Sequence, residues 1–170
     1  KFIIKGGNKL QGEIIVSGAK NAAVALIPAV ILSNEPCILE NVPKISDVSI
    51  SLRILHEMGA EVEMIDKTTF RIDASKILNY NVPYEMARKM RASYYFIGAC
   101  LGKFKRASVS MPGGCPLGDR PIDQHLKAFS ALGATCEIDH GMVNVNATSL
   151  IGSQIYLDVV SVGATINAML

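Results

Sequence analysis

The segment Leu55-His56-Glu57-Met58-Gly59-Ala60-Glu61-Val62-Glu63 returns in altered form as Phe129-Ser130-Ala131-Leu132-Gly133-Ala134-Thr135-Cys136-Glu137, 74 residues later. In each copy an apolar helical run stops on a glycine, the residue that most readily takes the left-handed conformation just past a helix end. A strand-like alternation follows at once. Self-similarity at a long fixed period means one supersecondary unit laid down repeatedly. A unit that cannot bury its own helix face must share a core with its neighbours. The expected fold class follows: an α/β domain built from repeats.

The rest of the chain fills in that unit. Phe2-Ile3-Ile4 and Gly12 to Ser17 read as strands around Gly6-Gly7-Asn8, followed by an Ala-, Val- and Leu-rich helix to about Leu32. Cys37 to Glu40 reads as a strand, and Asn41-Val42-Pro43 as a turn. Ser46-Asp47 can cap a helix to Met58, with Gly59 just beyond it. A hairpin is expected over residues 61–65 and 70–73. The pattern then starts again, with a helix from about Glu85 to Leu101, a strand over Ser108 to Met111, and a glycine-rich loop. A helix opening at Pro121 and ending at Leu132, and a hairpin over 135–138 and 142–146, complete the second copy. Ser161-Val162-Gly163-Ala164-Thr165 opens a third, which breaks off at Leu170; the sequence therefore reads as a piece of a longer protein.

Composition excludes several functions. A net charge of +2 with dispersed basic residues does not suit nucleic acid or an acidic membrane surface. Local clusters, Arg88-Lys89-Met90-Arg91 and Lys103-Phe104-Lys105-Arg106, suit a small anion better. The longest apolar run, Ala22 to Leu32, contains Pro28 and is too short to span a bilayer. With no secretory signal, a reducing cytoplasm is the expected location. Cysteines at 37, 100, 115 and 136 form no Cys-x-x-Cys pair and have no histidine at ligand spacing, so neither a metal site nor a disulfide framework is expected. Cys37, Cys100 and Cys136 read as small buried hydrophobes. No Gly-x-Gly-x-x-Gly or phosphate-loop motif calls for a nucleotide cofactor.

The residues that can carry chemistry sit at junctions. Lys20 and Asn21 stand where a loop becomes a helix, and Arg91 and Ser161-Val162-Gly163 at the corresponding places of the next two units. Free N–H groups and the dipole at a helix start favour an anion, to which Lys20 adds a full charge; a surface lysine at a helix start is the plainer reading. Three such junctions meeting on one side would line a pocket. The loop Pro112-Gly113-Gly114-Cys115-Pro116-Leu117-Gly118-Asp119-Arg120 holds the one cysteine in the setting of a reactive thiol, its pKa open to tuning by Arg120. Arg120 can grip a phosphate with two parallel hydrogen bonds, or pair with Asp119 or Asp123 and only fix the loop. Asp123 can accept from a hydroxyl or cap the helix that starts there. His56, His125 and His140 show no carboxylate partner at a readable spacing and receive no role.

Five blocks, in this order, resemble the UDP-N-acetylglucosamine 1-carboxyvinyltransferase family of enolpyruvyl transferases: Ser17-Gly18-Ala19-Lys20-Asn21-Ala22, Lys89-Met90-Arg91-Ala92-Ser93, Met111-Pro112-Gly113-Gly114-Cys115, Arg120-Pro121-Ile122-Asp123 and Ser161-Val162-Gly163-Ala164-Thr165. The resemblance implies transfer of enolpyruvate from phosphoenolpyruvate to the 3′-hydroxyl of UDP-N-acetylglucosamine, the first committed step of peptidoglycan synthesis, with no metal or organic cofactor. It implies an inside-out α/β barrel of six units in two domains, with the active site between them. On that reading residues 1–19 are strands belonging to a second, mostly absent domain. Residues 20–170 are an incomplete first catalytic domain, two repeats and the start of a third.

The resemblance further implies roles by position. Lys20 and Asn21 match the pair that contacts phosphoenolpyruvate, and Arg91 an arginine of the substrate site. Arg120, Pro121, Ile122, Asp123 and Gln124 match the segment that holds the UDP-sugar, as do Ser161, Val162 and Gly163. Cys115 matches the general acid that is alkylated by fosfomycin. The family often carries Lys-Val or Phe-Pro before that serine where this chain has Val159-Val160, so no side-chain contact carries over to position 159. The general-base aspartate is implied beyond residue 170. Two alternatives stay open: a relative that uses 3-phosphoshikimate as acceptor, which lacks the Gly-Gly-Cys loop, and a non-catalytic UDP-sugar-binding piece.

Overall fold

Two three-stranded antiparallel sheets, one per repeat, are each backed by helices, and the helices of both repeats meet in a common core. The structure, a computed structural model, describes residues 1–111 and 121–170. In the first unit, helix α1 (Lys20–Ala29) runs into a short 3-10 turn (Val30–Leu32). Strand β1 (Cys37–Leu39), helix α2 (Ser46–Glu57) and the hairpin β2 (Glu61–Met64) and β3 (Phe70–Asp73) follow. In the second, a single helical turn α3 (Tyr84–Ala87), a 3-10 turn (Arg91–Tyr94) and helix α4 (Tyr95–Phe104) precede strand β4 (Arg106–Ser110). Helix α5 (Asp123–Ala131) and the hairpin β5 (Thr135–Asp139) and β6 (Met142–Asn146) complete it. Helix α6 (Val162–Met169) opens the third.

The strand order is β1-β3-β2 in one sheet and β4-β6-β5 in the other, so the repeat legible in the sequence is a repeat of topology. Register explains the pattern of burial. Ala107 and Val109 of β4 pair with Val145 and Val143 of β6, and all four turn the same face to the helices, fully or almost fully buried. The units are also stitched together: Val82 N–H donates to Ser108 O at 3.0 Å and Ser108 N–H to Tyr80 O at 3.2 Å, so the link out of the first unit lies parallel against β4 of the second.

Helix α4 is the centre of the packing. It touches α1, α6 and β4, and every residue from Tyr95 to Leu101 is buried. A helix apolar on all sides needs neighbours on all sides. Two of those neighbours approach where glycine leaves room. A Cβ on Gly98 would stand 2.4 Å from Asn167 Oδ1, and one on Gly102 would stand 2.5 Å from Leu170 O. Phe96, Ile97, Ile27, Ile31, Ile54, Leu55 and Phe129 fill the space around it.

Several expectations are corrected. Residues 2–4 and 12–17 form no strand; Phe2, Ile3, Ile14 and Ile15 stand about nine-tenths exposed or more. Their alternation is strand-like, but a strand exists only against a partner, and none of the described residues offers one. The helix expected from Glu85 to Leu101 is broken, because Met90 takes an extended conformation (φ −129°, ψ 126°) and swings its side chain into the core. Helix α2 is capped by neither Ser46 nor Asp47: Ile45 is the extended residue before it and makes no side-chain cap. Helix α5 starts at Asp123, two residues after the expected Pro121. Cys37 and Cys136 are only half-buried, while Cys100 is fully buried and burial pushes its thiol up to about 12. The glycine stops hold, with Gly59 at φ +109° and Gly133 at φ +95°.

A candidate substrate cleft where three helix starts converge

Three helix starts, one from each unit, face one cleft of about 340 Å³, lined among others by Lys20, Asn21, Asp47, Arg91, Val162 and Gly163. Each unit reaches that place by its own local device. Ala19 is extended (φ −75°, ψ 128°) and turns into α1 with no side-chain cap, which leaves the first N–H groups of that helix without an intrahelical acceptor. Ser161 enters α6 likewise extended, and its Oγ accepts from Ala164 N–H at 3.2 Å, satisfying one of the first-turn donors. Arg91 opens the 3-10 turn that leads into α4.

Among the described residues the charges lining the cleft are two cations, Lys20 and Arg91, and one carboxylate, Asp47. Lys20 Nζ pairs with Asp47 Oδ2 at 2.5 Å, and the lysine side chain is a little over half exposed. Arg91 is half-buried. Among the described residues the excess is positive, and it sits beside helix-start N–H groups that have no intrahelical acceptor, an arrangement that favours a small anion.

The remaining expected residues divide. Cys115 and Arg120 lie outside the described residues. Pro121 is exposed and Ile122 buried, and Asp123 is the exposed first residue of α5, where its carboxylate favours the helix dipole and accepts from Gln124 Nε2 at 3.0 Å. Gln124 is nearly buried and occupied: Nε2 also donates to Asp158 Oδ2 at 3.1 Å, and Oε1 accepts from Asp158 N–H at 2.9 Å. Asp158 is held below the usual carboxylate range by its bond from Lys127 and then by Gln124. Gln124 thus ties α5 to the segment before Ser161. Of the two basic clusters, Arg88 lies over the Tyr84 ring and Lys103 reaches Asn34 Oδ1, so apart from Arg91 these are surface contacts. Among the described residues no group of three or more His, Cys, Asp or Glu side chains gathers as a metal site would.

Sequence reasoning missed the polar group behind the cleft. His125 is 6% exposed and its ring packs against Tyr94, centroids 4.6 Å apart. A Cβ on Gly163 would lie 3.1 Å from Tyr94 Oη and 3.2 Å from His125 Cε1, so the two rings form the floor beneath that glycine. Asn167, also buried, joins them. Its Nδ2 donates to Tyr94 O at 2.9 Å and lies 2.8 Å from His125 Nδ1, and its Oδ1 accepts from Gly98 N–H at 3.1 Å. Burial pushes the imidazole pKa down to about 4, against a raising pull from Asp123 and with Arg91 adding to the fall. A buried histidine on a polar helix was the available signal; its partner is an asparagine 42 residues away, which spacing does not reveal.

Residues 4–170 match the family described as EPSP synthase (3-phosphoshikimate 1-carboxyvinyltransferase). The chain belongs to that family of enolpyruvyl transferases. Within it, the chain is 54% identical to a UDP-N-acetylglucosamine 1-carboxyvinyltransferase of Clostridium botulinum, covering all of this chain and 41% of that protein. It is 49% identical to UDP-N-acetylglucosamine 1-carboxyvinyltransferase 3 of Caldanaerobacter subterraneus, covering all of this chain and 40% of the relative. The chain therefore spans about two-fifths of the length of these curated relatives. Among solved structures, the enolpyruvyl transferase NikO from Streptomyces tendae superposes with a TM-score of 0.71 at 25% identity, over 86% of this chain and 32% of that one. An EPSP synthase from Acinetobacter baumannii superposes with a TM-score of 0.67 at 16% identity, over 92% of this chain and 37% of the other, a likeness of fold. The enolpyruvyl transferase fold implied by the resemblance is the fold found, and it is an α/β domain built from repeats.

Proposed function

We propose that this chain contributes one wall of a site that transfers enolpyruvate from phosphoenolpyruvate to the 3′-hydroxyl of UDP-N-acetylglucosamine, releasing phosphate, as in the first committed step of peptidoglycan synthesis. The observation that carries the reading is the meeting of three helix starts, with Lys20 and Arg91, on one cleft. Both substrates are anionic, and such a cleft suits them. Lys20, beside Asn21, neutralises charge that builds on phosphoenolpyruvate during addition. Arg91 and the backbone N–H groups of Val162 and Gly163 hold the nucleotide diphosphate, with Ser161 fixing the turn that aims them.

The chemistry balances with one thiol. The sugar hydroxyl oxygen bonds to C2 of phosphoenolpyruvate while the methylene carbon takes a proton from the Cys115 thiol; the thiolate then takes a proton back from that carbon as the C2–O bond to phosphate breaks, and the re-formed double bond leaves an enol ether. A thiol supplies that proton best when nearby cations bring its pKa towards neutrality. Arg120 supplies such a charge and, with Pro121 to Gln124, the remaining hold on the UDP-sugar. The group that takes the hydroxyl proton is assigned by the resemblance to sequence beyond residue 170. The apolar, exposed residues of segment 1–19 are read as belonging with that further domain, and the chain by itself as unable to turn over. The protein is read as cytoplasmic, as its substrates require; among the described residues no helix is long and apolar enough to cross a membrane.

The family description raises a second acceptor, 3-phosphoshikimate. Identity supports the first: 54% to a UDP-N-acetylglucosamine enzyme against 16% to an EPSP synthase. The test is a phosphate-release assay with phosphoenolpyruvate and either acceptor, run on the protein joined to its further domain and on residues 1–170 alone. Release with UDP-N-acetylglucosamine by the joined protein alone is expected. Release with shikimate 3-phosphate would overturn the acceptor, turnover by residues 1–170 would overturn the need for a second wall, and calorimetric binding of the UDP-sugar without any turnover of the joined protein would leave a non-catalytic binding protein.

A further inference from the structure

We propose that Asn167 is a positioning residue that holds His125 as a neutral ring with its hydrogen on Nε2, and so fixes the floor of the cleft beneath Gly163. The orientation of the Asn167 amide follows from its backbone partners. Gly98 N–H can only donate, so the atom it meets at 3.1 Å is Oδ1; Tyr94 O can only accept, so the atom it meets at 2.9 Å is Nδ2. The second hydrogen of Nδ2 is then directed at His125 Nδ1, 2.8 Å away. Nδ1 must therefore be the bare nitrogen, and the ring hydrogen is on Nε2. A doubly protonated ring would set an N–H against an N–H in a buried place. The charged groups facing this ring among the described residues are Asp123 on its own helix and Arg91 from the neighbouring turn, and they act in opposite directions.

The same amide also spans Tyr94 O and Gly98 N–H, the two groups that one turn of α-helix pairs directly. One side chain of α6 therefore ties together α4, α5 and the turn that carries Arg91. The first repeat shows that packing does not require this. Ser51 occupies the place one 74-residue period before His125 and is equally buried. It satisfies itself within its own helix, Oγ to Asp47 O at 2.9 Å, and reaches the next unit only through Met90 Sδ at 3.2 Å. A small hydroxyl serves that junction; the imidazole and its asparagine appear at the junction whose α6 start carries Val162 and Gly163. The consequence for ligand binding rests on the reading given under Proposed function, whereas the protonation of the ring does not.

Long-range proton–nitrogen spectra of the histidine rings in isotope-labelled protein, with His125→Gln to assign the signal, test the proposal. From about pH 8 to about pH 5.5 His125 is expected to keep the pattern of a neutral ring protonated on Nε2. Asn167→Asp, which puts a carboxylate oxygen where the donor was, is expected to move the hydrogen to Nδ1 and bring His125 into the titrating range. Asn167→Ala is expected to mix the two forms and to weaken UDP-N-acetylglucosamine binding about tenfold, the equivalent of one lost buried hydrogen bond. A wild-type ring protonated on Nδ1, or titrating near its ordinary value of about 6.5, overturns the proposal whichever variants fold. So does a folded Asn167→Ala protein with unchanged spectrum or unchanged affinity. Failure of the wild type to bind the UDP-sugar counts against the proposed function, and the spectra still decide the ring.

Discussion

Lys20 and Asp47 are joined by an ion pair of 2.5 Å within the lining of the cleft, so a single carboxylate of the described lining aims the lysine. The pair links the first turn of α1 to the first turn of α2. With the lysine more than half exposed, it contributes little to folding; exposed pairs are worth about 0–1 kcal/mol.

From this a separation of effects is expected. Lys20→Ala and Asp47→Ala each shift stability by less than about 1 kcal/mol, measured by urea unfolding. Lys20→Ala weakens phosphoenolpyruvate binding at least about tenfold, since a charge-assisted contact is lost. Unchanged affinity in a folded Lys20→Ala protein would remove the lysine from the site.

Acid should unfold the protein partly through His125. Its folded pKa of about 4 lies below the ordinary 6.5, so between those values only the unfolded chain takes the proton. Stability is therefore complete above about pH 6.5 and falls as the pH drops towards 4, by about 3 kcal/mol in all. Thermal melting across that range checks the sign, and His125→Gln should flatten the slope. An equal slope in the variant would move the effect elsewhere.

Close approaches of backbone predict a ranked series. A Cβ on Gly18 would stand 1.7 Å from Asn41 O, a clash with main chain, so Gly18→Ala is expected to cost about 3 kcal/mol or more. Gly163→Ala meets only ring atoms at 3.1–3.3 Å and should cost about 1 kcal/mol while displacing the cleft floor. Denaturant midpoints would establish the order, and equal losses at the two positions would contradict it.

Thiol labelling distinguishes the cysteines. Burial holds Cys100 far from its reactive form, so it is expected to resist alkylation until the protein unfolds. Fosfomycin is expected to add its mass once, at Cys115, and Cys115→Ser to abolish that addition while sparing substrate binding. Peptide mass mapping reads both; undiminished labelling of Cys115→Ser would displace Cys115 from the chemistry.

What could be read from the sequence was what local rules govern. The two hairpins, the glycine stops at 59 and 133 and the repeat itself came from periodicity and turn chemistry, and the structure has them within a residue or two. The junction residues Lys20, Asn21, Val162 and Gly163 were found because helix starts carry free donors, and Arg91 as their counterpart in the repeat; all five share one cleft. What escaped was set by partners distant in sequence. Residues 2–4 and 12–17 alternate like strands but find no pairing partner among the described residues. Met90 breaks a helix because the core takes its side chain. Gln124 spends its amide on Asp158, and the His125–Asn167 contact joins two helices whose polar residues look unremarkable one at a time.

The parallel contact of residues 80–82 with Ser108 has a consequence for dissection. The physical building block is offset from the textual one: the tail of the first unit completes the sheet of the second. A second unit expressed from Tyr84 would present β4 as a bare edge, open to pairing with another copy. One begun at about residue 79 would carry its own cover. Boundaries for permutation or grafting in this chain belong upstream of the repeat that the letters suggest.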